Sequence, residues 1–89
     1  MKLPRDVSGY DLARLLRPCG YEVTRQVGSH MRLSTREHGE HSVTIPTHAE
    51  LRPGTLEFVL TVVARHLGTD RVALAERFWG TPRARGHGG

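Results

Sequence analysis

No run in this 89-residue sequence approaches the roughly 20 consecutive apolar residues that a membrane-spanning helix needs. The opening segment, Met1-Lys2-Leu3-Pro4-Arg5-Asp6, also lacks the apolar stretch of a secretion signal, so a cytoplasmic protein is expected. Cysteine is almost absent. Cys19 stands alone, no disulfide can close within the chain, and the expected role of the thiol is that of a small, buried, inert apolar group. Lysine is nearly absent as well. Lys2 is the only one among thirteen basic residues, a bias that suits bidentate phosphate contacts and equally a GC-rich genome. A chain this short has apolar residues for one small core, so a single domain over residues 1–80 is expected.

The net charge of +4 is unevenly placed. Residues 1–36 carry seven basic and three acidic side chains, and residues 37–80 carry four basic and six acidic ones. A polyanion such as RNA is therefore drawn to the first half.

Hydrophobic spacing and turn residues give the order of elements. Ser8, with Asp11 three residues on, has the form of a capping box, and Val7 and Leu12 are spaced for a hydrophobic staple. Leu12, Leu15 and Leu16 form the apolar stripe of a first helix, which Pro18 and Gly20 end. Residues 21–27 alternate like a strand with Tyr21, Val23 and Val27 on one face. Gly28 permits a tight reversal. A second strand, His30 to Arg36, puts Met31 and Leu33 on one face and His30, Arg32, Ser34 and Arg36 on the other. Glu37-His38-Gly39-Glu40 reads as a hairpin turn, followed by a third strand with Val43 and Ile45 on its core face and Pro46 as its stop.

Pro53 opens a second helix whose residues Leu56, Val59, Leu60, Val63 and Leu67 make a buried stripe, with Phe58 assigned to the same core face. Gly68 ends it. Thr69 or Asp70 caps a short third helix in which Val72, Ala75, Phe78 and Trp79 pack back, with Trp79 either a lid on the core or an anchor for a partner. Residues 81–89 read as a disordered tail.

This order carries two motifs: Gly28-Ser29-His30 between the first two strands, and Ile45-Pro46-Thr47-His48 followed by Leu51-Arg52-Pro53-Gly54-Thr55-Leu56 before the second helix. Together they resemble the HicA (YcfA-like) mRNA interferase toxins over about residues 8 to 67. The resemblance implies an α+β fold like that of the double-stranded-RNA-binding domain, α-β-β-β-α. In it a three-stranded antiparallel sheet carries two helices on one face, here followed by a short C-terminal helix. It also implies a toxin of a type II toxin–antitoxin system that cleaves mRNA without metal or other cofactor. His30 would be its catalytic residue, and a HicB-type antitoxin would mask the active site. Met31-Arg32-Leu33 depart from the second histidine or aromatic that often follows in the family, and residues 69–80 extend past the minimal toxin.

The chemistry suits a histidine. RNA carries its own nucleophile, the 2′-hydroxyl, so a metal-free nuclease must take up that proton, stabilise the developing phosphate charge and protonate the departing 5′-oxygen. Imidazole is the side chain that titrates near neutrality. Arg32 on the same strand face, Arg25 across the first hairpin and Arg36 are candidates for phosphate contact, and Ser29 or the backbone around Gly28 for an oxyanion.

The partner for His30 in proton transfer stays open at this level. His41 falls on the inward face, His48 is expected to orient its loop by a ring hydrogen bond, and His38 and His66 read as solvated. A zinc site at His38, His41 and His48 is not expected, with no cysteine nearby. Besides the toxin, a non-catalytic module gripping structured RNA and a protein-interaction domain fit the bare residues.

Overall fold

The computed structural model describes residues 3–80. Helix α1, Gly9–Leu16, begins where the sequence indicates. The Ser8 hydroxyl accepts from the Asp11 amide at 3.0 Å, and the Asp11 carboxylate accepts from the Ser8 amide at 3.1 Å. These two bonds satisfy amides that a helix start otherwise leaves unpaired. The hydrogen bonds from Ser8, aided by Arg14, hold the Asp11 carboxyl below its ordinary range. A 3₁₀ turn, Arg17–Cys19, closes at Gly20 in the left-handed region, φ 100°. Cys19 is buried, and loss of hydration raises its thiol pKa, as expected of an inert cysteine.

Three strands succeed it in sequence order: β1 (Glu22–Val27), β2 (His30–Thr35) and β3 (His41–Pro46), each antiparallel to the next. The inner face of β2 and β3, built of Met31, Leu33, Val43 and Ile45, is buried under α1 and helix α2, Pro53–Leu67. Leu12 and Leu16 of α1 meet Leu56, Val59, Leu60 and Val63 of α2 in that core, with Tyr21 fully buried among them. The fold is α+β, with two helices on one face of a three-stranded antiparallel sheet, the double-stranded-RNA-binding-domain-like arrangement. Among the described residues no helix covers the other face.

β1 departs from simple alternation. Val23 pairs with Leu33, but the next partners are Arg25 and Arg32, so Thr24 is an extra residue on β1. Such a bulge turns both of its residues to one side and reverses the parity of the rest of the strand. Tyr21 and Val23 therefore remain on the inner side, while Val27, expected with them, lies opposite His30 on the outer face and is 59% exposed. Val23 itself is 44% exposed, at the sheet's edge.

Helix α3, Arg71–Trp79, is capped by Asp70, whose carboxylate accepts from the Ala73 amide at 2.8 Å. Leu74 and Ala75 are its buried residues and Phe78 and Trp79 pack against the core, whereas Val72, expected with them, is exposed and Leu74 takes its place on the inward face. Phe78 and Trp79 meet edge to face and pack, partly buried, against the core's margin. Phe58 is 66% exposed, because it lies two residues from Leu56 and falls off the stripe that continues at Val59 and Leu60. Residues 81–89, expected to form a tail, lie outside the described residues.

Candidate functional site

Gly28 and Ser29 connect β1 to β2, with φ 58° at Gly28 and a negative φ at Ser29, the pattern of a two-residue type II′ turn. Glycine adopts that first position without strain, and a Cβ there would meet no atom within 4 Å. The turn delivers His30 to the first position of β2, exposed, with Val27 and Pro46 as its cross-strand neighbours.

Backbone bonds fix this end of the sheet. The Thr47 amide donates to the Ser29 carbonyl at 2.8 Å, the Gly9 amide to the His48 carbonyl at 3.0 Å, and the Leu51 amide to the Val7 carbonyl at 2.8 Å. Gly9 lies so close to β3 that a Cβ would overlap the carbonyl oxygen of Pro46. The loop after β3 is thus held by main chain. The His48 ring, expected to do this work, makes no hydrogen bond among the described residues and is exposed.

His30, Arg32 and Ser34 share the outer face of β2, and the bulge brings Arg25 onto that face directly opposite Arg32. Uninterrupted alternation would have put Arg25 with Val23 on the inner side. The Thr24, Ser34 and Ser42 hydroxyls link across all three strands at 3.1 and 2.8 Å, forming a polar rail beside the arginines. Among the described residues the ion pairs are Arg14–Asp11 and Arg71–Glu57, so Arg25, Arg32 and Arg36 are free to pair with an anion.

An open cleft of about 600 Å³ continues from Arg25 and Arg32 toward Arg36 and the turn after β2, lined also by Glu22, Glu37 and Glu40. It stops short of His30. The carboxylates repel a polyanion at the far end, which leaves the arginines nearest His30 as the favourable place for phosphate.

A second histidine cluster lies at the opposite end of β3. His41 faces inward, as its parity requires, and its Nδ1 is 2.7 Å from the Tyr21 hydroxyl. Burial pushes the Tyr21 phenol up to about 12, with Cys19 adding to the effect, so the phenol keeps its proton in this hydrogen bond. Burial, then His66, lowers the His41 pKa below its ordinary value. The two imidazoles stack at 4.5 Å.

His66 is not simply solvated: Nε2 lies 2.9 Å from the Glu37 carbonyl and 3.0 Å from that of Gly39, and since carbonyls only accept, Nε2 carries a proton. This ring holds the β2–β3 turn, where His38 has a φ of 59°. The signal was present, because His66 is three residues beyond Val63 and seven beyond Val59 on the inward stripe of α2. Gly9 and the bulge at Thr24 left no comparable trace in the sequence.

His38, His41 and His48 are thereby separated, one in the turn, one inward and one past the far end of β3. No group of three or more His, Cys, Asp or Glu among the described residues is placed to hold a metal ion. No helix among them is long and apolar enough to cross a membrane.

The family model described as the HicA toxin of bacterial toxin–antitoxin systems matches residues 9–67, which contain every candidate site residue above. No curated protein and no solved structure matches the chain.

Proposed function

Because the chain belongs to the HicA toxin family of bacterial toxin–antitoxin systems, we propose that it is an endoribonuclease that cuts mRNA in the cytoplasm without a metal, with His30 as its catalytic residue, and that a HicB-type antitoxin neutralises it. The observation that carries the catalytic reading is the row on the outer sheet face: His30, exposed and backed by a rigid turn, beside Arg32 and Arg25, neither of which has an acidic partner among the described residues.

In this reading the scissile phosphate lies over the start of β2. The Arg25 and Arg32 guanidinium groups bind its non-bridging oxygens and stabilise the charge that grows as the 2′-oxygen attacks phosphorus. Ser29 and the main chain at Gly28 contact the same group from the turn. His30 transfers a proton to or from the reacting oxygens. The 2′-oxygen forms a bond to phosphorus, the bond to the 5′-oxygen breaks, and the products are a 2′,3′-cyclic phosphate and a 5′-hydroxyl. Arg36 lies just past the end of β2, about 20 Å from His30 at the usual strand rise and beside the Glu37 and Glu40 carboxylates, so its share in RNA binding is expected to be smaller than that of Arg25 and Arg32.

An acid–base contribution of about 10²- to 10⁴-fold is expected from His30, the remaining acceleration coming from cationic stabilisation and positioning. Among the described residues no helix lies over the outer face, and an antitoxin seated there would cover His30 and both arginines together. Incubation of the purified protein with single-stranded RNA in excess EDTA tests the reading. Cleavage by wild type and not by His30→Ala supports it; equal binding by both without cleavage favours an RNA-gripping module.

A further inference from the structure

The proposed reaction needs two proton transfers, and the ring of His48, exposed just past the end of β3, makes no hydrogen bond among the described residues. We infer that His48 is the second proton-transfer group, acting on the opposite side of the scissile phosphate from His30. The inference rests on the ribonuclease reading of the same site.

Register carries it. His30 lies opposite Pro46, and the Thr47 amide bonds to the Ser29 carbonyl, so the antiparallel pairing of β2 and β3 runs on past the end of β3. Ser29 and Thr47 are joined by that one main-chain bond, and His30 with Pro46 beside it is the last pair of the register, of the non-bonded kind in which side chains approach most closely. Contacts at the free edge agree. Carbonyls at non-bonded positions turn away from the neighbouring strand, and Gly9 of α1 meets those of both Pro46 and His48 on that side.

With alternation preserved, His48 shares the outer face with Pro46 and His30. The register ends at His30 and Pro46, and Gly28 in the adjoining turn adds no side chain, with open space where one would be. His30 and His48 are then diagonal neighbours. Such residues have Cβ atoms about 7–8 Å apart or somewhat less, a gap that a phosphodiester can occupy with one imidazole on the 2′-oxygen and the other on the 5′-oxygen. His30 comes from a glycine turn and His48 from a loop pinned by three main-chain hydrogen bonds, so both rings are held on rigid backbone.

In the reaction one imidazole accepts the 2′-hydroxyl proton as the new P–O bond forms. The other, protonated, gives its proton to the 5′-oxygen as the old bond breaks. Each ends in the other's starting protonation state, and no outside reagent is consumed.

The test uses the full-length protein and two substrates: an ordinary RNA, and the same RNA with sulfur replacing the 5′-bridging oxygen at the cleavage site, a leaving group that needs no proton. His48→Ala should lower cleavage of ordinary RNA by about 10²- to 10⁴-fold, as should His30→Ala. The variant lacking the general acid should recover most of its rate on the sulfur substrate, and the variant lacking the base should not. Recovery by either variant alone supports the pair and assigns the two roles.

The pH–rate profile gives a readout that a structural role would not move: wild type should be bell-shaped, and His48→Ala should lose one limb. His48→Gln, which keeps a hydrogen-bonding side chain, should not restore the rate, and equal urea midpoints for all variants establish that the fold is intact. If His48→Ala cuts ordinary RNA as fast as wild type, or keeps both limbs, or if neither histidine variant recovers on the sulfur substrate, the assignment is wrong while the ribonuclease reading stands. Absence of cleavage by wild type overturns both.

Discussion

Arg25 and Arg32 stand directly opposite each other across β1 and β2, on the solvent face, and neither has an ion-pair partner among the described residues. Like charges at opposed positions destabilise a sheet, by an amount comparable to the ~0.2–1 kcal/mol that favourable cross-strand pairs contribute. A fold with this repulsion gains from an anion seated between the two groups. The bulge at Thr24 creates the arrangement, since it brings Arg25 onto this face.

Replacing either arginine by alanine is accordingly expected to leave stability unchanged or raise it by a few tenths of a kcal/mol, while RNA binding weakens. Each variant should also reduce the slope of log affinity against log salt by about 0.7, the value of one phosphate contact on a single strand. Urea unfolding and a salt titration of RNA binding measure the two effects. A loss of stability with an unchanged slope would mean that these residues serve the fold and not the nucleic acid.

The two glycines near His30 fail in different ways when a Cβ is added. Gly28→Ala meets open space and suffers only from its positive φ, a cost of order 1–2 kcal/mol. Gly9→Ala runs into the main chain at Pro46, which cannot rotate aside, so it should cost at least the upper part of the roughly 1–3 kcal/mol seen for overpacking. Urea midpoints of the two variants should rank wild type, Gly28→Ala, Gly9→Ala.

The helix cap offers a smaller and cleaner measurement. Ser8→Ala removes the hydroxyl that accepts from the Asp11 amide and should cost about 1 kcal/mol. It should also weaken the acid sensitivity that Asp11 brings. Because the folded carboxyl pKa is lowered, its contribution is present above the ordinary value of 3.8 and is lost as pH falls below it.

His41 acts in a higher window. Its folded pKa is depressed from the ordinary 6.5, so the unfolded chain binds more protons there, and stability is full above about 6.5 and declines as pH falls through the folded value. Thermal melts of wild type should lose midpoint between pH 7 and 5, and His41→Gln should show a flatter profile. If His41→Gln and wild type have parallel profiles, the pH dependence arises elsewhere.

Local rules made much of this fold legible. The Ser8–Asp11 cap, the glycine turn before His30, the outward row on β2 and the stripe of α2 each depend on neighbours within a few residues, and the structure has all four. Phe58 breaks the expectation because its apolar character points to the core while its angle around the helix points away from it. What stayed hidden depends on contacts between distant parts of the chain. The bulge is a property of β1 and β2 together, the need for glycine at position 9 arises from Pro46, and the roles of His66 and His48 depend on the main chain they meet or complete.

Whether His30 cuts RNA without a metal is tested most directly by single-turnover cleavage of a defined single-stranded RNA in EDTA, with analysis of the new ends. Wild type should generate 2′,3′-cyclic phosphate and 5′-hydroxyl termini, with His30→Ala slower by about 10²-fold or more at an unchanged urea midpoint. Cleavage by folded His30→Ala at the wild-type rate, or cleavage that EDTA abolishes, would contradict that role.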